Sequence, residues 1–183
     1  MEDIDDHAIE LHPSTRLSAR HDLTAHDGRQ DFDFLFGRWQ VAHRRLNQRL
    51  AGCEEWTAFS GTQTAGPLLG GLGNFDDNVL DLPGGAYRAA TFRAFDPERG
   101  LWSIWWLDGR HPSEIGTPMV GRFDDGTGTG TFYADESFDG RPIRVRFIWS
   151  RTLTPSPRWE QAFSADGGKS WETNWVMDFL RVA

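Results

Sequence analysis

The chain has 183 residues and a mass of 20.8 kDa, enough for one domain and one hydrophobic core. Apolar residues at 38% and charged residues at 25% exclude collagen-like and low-complexity classes. A net charge of −8 argues against a surface that tracks phosphates, so no nucleic-acid partner is expected.

No apolar run approaches the roughly 18 residues of a membrane-spanning helix, and Met1-Glu-Asp-Ile-Asp-Asp6 lacks the basic start of a signal peptide. The expectation is a cytoplasmic protein with no membrane partner. Cys53 is the only cysteine, which rules out an intrachain disulfide or a thiolate metal cage. The unusual feature is aromatic: nine Trp and thirteen Phe against two Tyr.

Residues 1–30 are polar, carry four of the six histidines and show no sustained periodicity, so they read as an acidic arm preceding a domain over 31–183. From Asp31 onward, short runs rich in Val, Ile, Thr, Phe and Trp alternate with Gly, Pro and Asp clusters, the pattern of antiparallel β-structure. Strands are expected over 38–48, 53–62, 73–82, 86–95, 101–108, 117–124, 129–137, 142–153, 158–164 and 171–182. The connections Asp81–Gly85, Asp96–Gly100, Asp124–Gly128, Asp139–Pro142 and Ser164–Ser170 carry hairpin chemistry. The glycine-rich stretch from Gly66 to Gly73 reads as a bulged or close-packed segment near the mouth, or as a lid.

Beyond position 31 no long stretch has a clean amphipathic helix period, which leaves a sequential meander. Ten antiparallel strands leave two exposed edges unless the sheet closes, so a single up-and-down barrel is the expected fold, with a β-sandwich as the alternative.

The run Leu101-Trp-Ser-Ile-Trp-Trp-Leu107 is apolar on both faces, so its outer face needs a cover, either the arm or a second subunit. A homodimer is expected on that ground. Two registers are open for the hairpin before it. We favour Asp96 opposite Leu101, since Pro-Glu-Arg-Gly then makes a four-residue loop ending in a left-handed glycine.

The opening Asp31-Phe-Asp-Phe-Leu-Phe-Gly-Arg-Trp39 and the closing stretch from Trp159 to Trp175 resemble an uncharacterised bacterial group of lipocalin-like, or calycin, barrel proteins. The likeness covers residues 28–182. It implies a calycin-like barrel, which fits the count of about ten strands, with the Gly-x-Trp tryptophan plugging a closed end. It implies no activity and no catalytic residues, because the group has no established function.

Within Ser164-Ala-Asp-Gly-Gly-Lys-Ser-Trp171, Gly-Lys-Ser is not a phosphate loop, because Phe163 stands where that loop needs its first glycine. The stretch resembles one Asp-box, a single copy of which makes no propeller. It reads as a hairpin in which Asp166 accepts loop N–H groups and Trp171 anchors the return strand. His7, His12, His21 and His26 have spacings that suit no tight metal site, and Asp76-Asp-Asn78 with Asp81 lacks the order of an EF-hand and reads as a solvated rim.

His43 shares strand parity with Trp39 and Val41 and is expected inside, where the plain reading is a hydrogen-bonded structural histidine. Arg144 and Arg146 share a face from which one can meet Glu160 or hold an anion. In the expected hairpin register Glu160 opposes Trp175 and Gln161 opposes Asn174. Glu160 and Glu172 then lie on opposite faces, which disfavours paired-carboxylate hydrolysis.

The functional expectation is non-covalent binding of a small, largely apolar or aromatic ligand in the barrel mouth. Trp39, Trp105, Trp149 and Trp175 form its walls, and His43, Arg146 and Glu160 orient it. No cofactor or metal is implied. The rivals are a small-molecule isomerase or hydrolase using His43 or Glu160 as base, and a haem barrel with His43 as axial ligand.

Overall fold

A computed structural model describes residues 27–182. The first 26 residues, with the four arm histidines, lie outside the described residues.

The chain forms ten antiparallel strands: β1 Gly37–Leu46, β2 Trp56–Leu68, β3 Gly73–Leu82, β4 Gly85–Asp96, β5 Leu101–Asp108, β6 Met119–Phe123, β7 Gly130–Phe138, β8 Arg141–Ser150, β9 Arg158–Ser164 and β10 Glu172–Arg181. Each pairs with its sequence neighbour, and β1 also pairs with β10, so the sheet closes into an up-and-down barrel. Closure removes both edges, the physical reason for preferring it to a sandwich. The Asp96–Leu101 register is the one observed, with the Gly100 amide donating to the Asp96 carbonyl at 2.8 Å and Gly100 at φ 62°.

One end of the barrel is plugged. The chain enters through a 3-10 turn, Asp33–Leu35, that drives Phe32 and Leu35 fully out of water. Phe32 packs edge-on against Trp102, Phe123 and Trp149 and beside Phe132. Each such ring contributes on the order of 1.5–3 kcal/mol of burial. The Trp39 indole donates to the Leu35 carbonyl at 2.7 Å, and Arg181 stacks over Trp39 while donating to the Phe34 and Phe36 carbonyls.

The glycine-rich stretch lies at this plugged end. β2 runs on to Leu68, a second 3-10 turn covers Leu69–Gly71, and the Phe95 amide donates to the Leu72 carbonyl. The opposite end carries the β1–β2 loop and the tips of β3–β4, β7–β8 and β9–β10.

β10 differs from expectation by one residue. A bulge between Thr173 and Trp175 sets Trp175 opposite Gln161 and Val176 opposite Glu160, while Gln161 still donates to the Asn174 side chain at 2.8 Å. The extra residue turns Trp175, Met177 and Phe179 inward together.

Candidate functional site

Alternation along the strands sorts the residues into a lumen and an outer face. On β1, Trp39, Val41 and His43 are buried and Gln40, Ala42 and Arg44 are exposed. β3 and β4 behave differently, because several of their inward positions are polar: Asn74, Asp76, Asn78, Thr91 and Arg93 are all buried. Arg93 donates to Asn74 and Asp76, Asp76 also accepts from the Asn78 amide, and the Arg93 guanidinium lies 4.8 Å from the centre of the Phe32 ring. A buried charge pair survives only with such extra bonds.

Facing this polar wall across the lumen is an aromatic one. Between the two lies a cavity of about 30 Å³, lined by Gln63, Asp76, Asn78, Thr91 and Arg93 on one side and by Ile104, Trp106, Phe147, Trp149, Trp159, Met177 and Phe179 on the other. A water needs roughly 10–15 Å³ of such space, so the cavity has room for one or two. Two donors on its lining residues, Gln63 Nε2 and Arg93 Nε, are buried without a hydrogen-bond partner. Leaving one such donor unmet costs about 1–3 kcal/mol. Of the lining aromatics, only Trp106 and Phe147 are half-buried rather than buried. Trp106 also lies where β5 loses its neighbour, since β6 pairs only with Trp102, Ser103 and Ile104.

His43 sits between this cavity and the unplugged end. Its ring stacks on Phe59 at 4.6 Å, and its Nδ1 accepts from the Trp175 indole at 3.3 Å. Burial, with a smaller push from Arg45, lowers its pKa to about 4, so it is neutral at pH 7. A Cβ on Gly61 would come within 2.6 Å of His43 Nε2, so the glycine makes the room for this imidazole. Neither ring nitrogen is free for a haem iron: Nδ1 accepts from Trp175 and Nε2 lies against β2 at Gly61.

Four of the seven residues expected to line the site are inward: Trp39, His43, Trp149 and Trp175. Trp149 lines the cavity, while Trp175 packs edge-on against Trp106 and Trp159. Trp39 reaches the cavity only through Phe179.

The other three are corrected. Trp105 pairs with Phe92 on the outer face and lines a shallow groove with Leu107 and Ile115. Arg146 opposes Tyr133 and Ala162 and lies 4.4 Å from the Trp171 ring. Glu160 pairs with Ile148 and Val176, also outside. Arg146 and Trp149 have opposite strand parity, as do Glu160 and Trp159, so a regular strand cannot turn both members of either pair inward.

Asp76 and Asn78 are buried in the lumen, not on a solvated rim. Sequence reasoning missed them because β3 carries acidic residues on both faces, Asp76 on one and Asp77 and Asp81 on the other. Arg45 was also missed, although its parity with Trp39, Val41 and His43 was a usable signal.

Asp166 behaves as expected of the hairpin. It accepts the Lys169 and Ser170 amides and the Ser164 and Ser170 hydroxyls, which hold its carboxyl well below the usual carboxylate range. Among the described residues, no three His, Cys, Asp or Glu side chains gather as metal ligands. In comparisons with known proteins, no family model and no curated protein matches the chain.

Proposed function

We propose that the protein binds a small, largely apolar or aromatic molecule inside the barrel without covalent chemistry. The observation that carries this reading is the pair of unmet buried donors, Gln63 Nε2 and Arg93 Nε, on a cavity whose polar side, shared with Asp76, Asn78 and Thr91, faces a wall of indole and phenyl rings. Because the Arg93 charge is already met by Asp76, the interior suits a neutral acceptor, a carbonyl or hydroxyl, better than an anion. A ring-sized guest exceeds the present cavity and enters as Trp106 and Phe147 swing outward, beside the strand gap at β5 and β6. The closed meander and the Gly-x-Trp opening at its plugged end support kinship with lipocalin-like barrels as part of the same reading.

The test is extraction of purified, denatured protein followed by mass spectrometry of small molecules. An apolar or aromatic compound at about one per chain is expected from the wild type. It is expected to be depleted in Gln63→Leu and absent from Ile104→Trp, which fills the cavity. Circular dichroism confirms that both variants fold. An empty wild-type protein, or equal recovery from all three, overturns the reading.

A further inference from the structure

The unplugged end of the barrel concentrates cations that the fold does not neutralise. Arg45 continues the inward column of β1 beyond His43, and its guanidinium lies 5.0 Å from the centre of the Trp175 ring. Arg49, in the β1–β2 loop, is half-buried and stands 5.9 and 5.8 Å from the Phe138 and Phe163 rings, at the tips of β7 and β9. Among the described residues, neither guanidinium has a carboxylate within 4.0 Å.

The acids in the neighbourhood do not fill that role. Glu172 uses one carboxylate oxygen to accept the Leu50 amide at 2.7 Å, tying down the loop that carries Arg49. Asp108 is held by Arg110, which in turn stacks 3.9 Å from the centre of the Tyr87 ring. Asp139 acts on Arg49 only at a distance.

The two guanidinium groups feel each other. Burial first, then Arg45, lowers the Arg49 pKa to about 10, while Tyr87, Glu172 and Asp139 oppose that shift only in part. Two repelling cations held on aromatic faces, in a chain of net charge −8, are an arrangement that folding alone does not favour. An oxyanion between them relieves the repulsion and completes the hydrogen bonding of two planar forks.

We propose that the barrel mouth is a binding site for a small organic anion, its carboxylate or phosphate held between Arg45 and Arg49 and its flat apolar part laid against Trp175. This site goes beyond the interior cavity and does not depend on that reading. The cavity takes a neutral group beside a charge already paired, whereas the mouth takes the charged end of a ligand.

The experiment titrates the full chain with 2-naphthoate, 2-naphthyl phosphate and uncharged 2-naphthamide, followed by quenching of tryptophan emission. At least one of the two anions is expected to bind the wild type roughly tenfold or more tightly than the amide, the range of a charge-assisted hydrogen bond. Which anion binds tighter separates a carboxylate ligand from a phosphate ester. Arg45→Gln and Arg49→Gln are each expected to remove about tenfold of that anion affinity and to leave the amide within twofold. Arg44→Gln makes the same change in net charge on the outer face of β1 and is expected to leave anion binding unchanged.

Equal affinity of the wild type for anions and amide, no binding of either anion, or equal losses in Arg44→Gln and Arg45→Gln each overturns the proposal. None of these outcomes bears on whether a compound is extracted from the interior.

Discussion

The His43 imidazole is closed in by Phe59, Trp175 and Gly61, and the cost of protonating it there appears in the stability of the whole protein. Its folded pKa of about 4 lies below the ordinary 6.5, so between those values the unfolded chain binds the proton more readily. Stability from this group is therefore present above pH 6.5, falls as the pH drops through the window, and levels off below 4. The wild type should lose about 2 kcal/mol more than His43→Gln between roughly pH 7.5 and 5, measured by urea unfolding. Parallel pH profiles for the two proteins would show that His43 is not sealed as described. The buried position of this residue was legible from its parity with Trp39. Its hydrogen-bond partner was not, because Trp175 lies 132 residues away and reaches it only when β10 closes the barrel against β1.

Individual elements were legible where local chemistry sets the geometry. In the β4–β5 hairpin, Asp96 accepts the Glu98 and Arg99 amides and Gly100 takes the left-handed conformation, so loop composition alone selected the register. The bulge in β10 had no such signal, since Thr173-Asn174-Trp175 contains neither glycine nor proline. One uncounted residue then misplaced Trp175 relative to Glu160. The β9–β10 hairpin offers a test of how much a single side chain organises. Asp166→Ala removes the acceptor for the Lys169 and Ser170 amides, and hydrogen exchange at those two positions should accelerate strongly. Amides in the Trp149–Trp159 ladder should keep their protection. Unchanged exchange at 169 and 170 would mean that the loop backbone holds its shape without the carboxylate.

For the whole molecule, closure followed from counting strands and finding no crossover helix, but which face of β5 looks inward did not, because a strand apolar on both sides carries no sign of its own. The structure turns Trp102, Ile104 and Trp106 inward and leaves Trp105 and Leu107 outside with Phe92 and Ile115. Ile115, from the β5–β6 loop, supplies part of the cover from the same chain. Even so, Phe92 remains 44% and Ile115 67% exposed, a cluster of large apolar side chains meeting water on one patch. The homodimer expected from β5 would use this patch as its contact, each chain burying its Trp105 groove against the other. Light scattering should then give twice 20.8 kDa for the wild type. Trp105→Lys should shift the mass toward the single-chain value at the same concentration, since a charge buried at such a contact is costly unless paired. Arg146→Gln, on the outer face of β8, should leave the mass unchanged. A wild-type mass of 20.8 kDa across the accessible concentration range would assign the patch no self-association and leave each barrel a single chain.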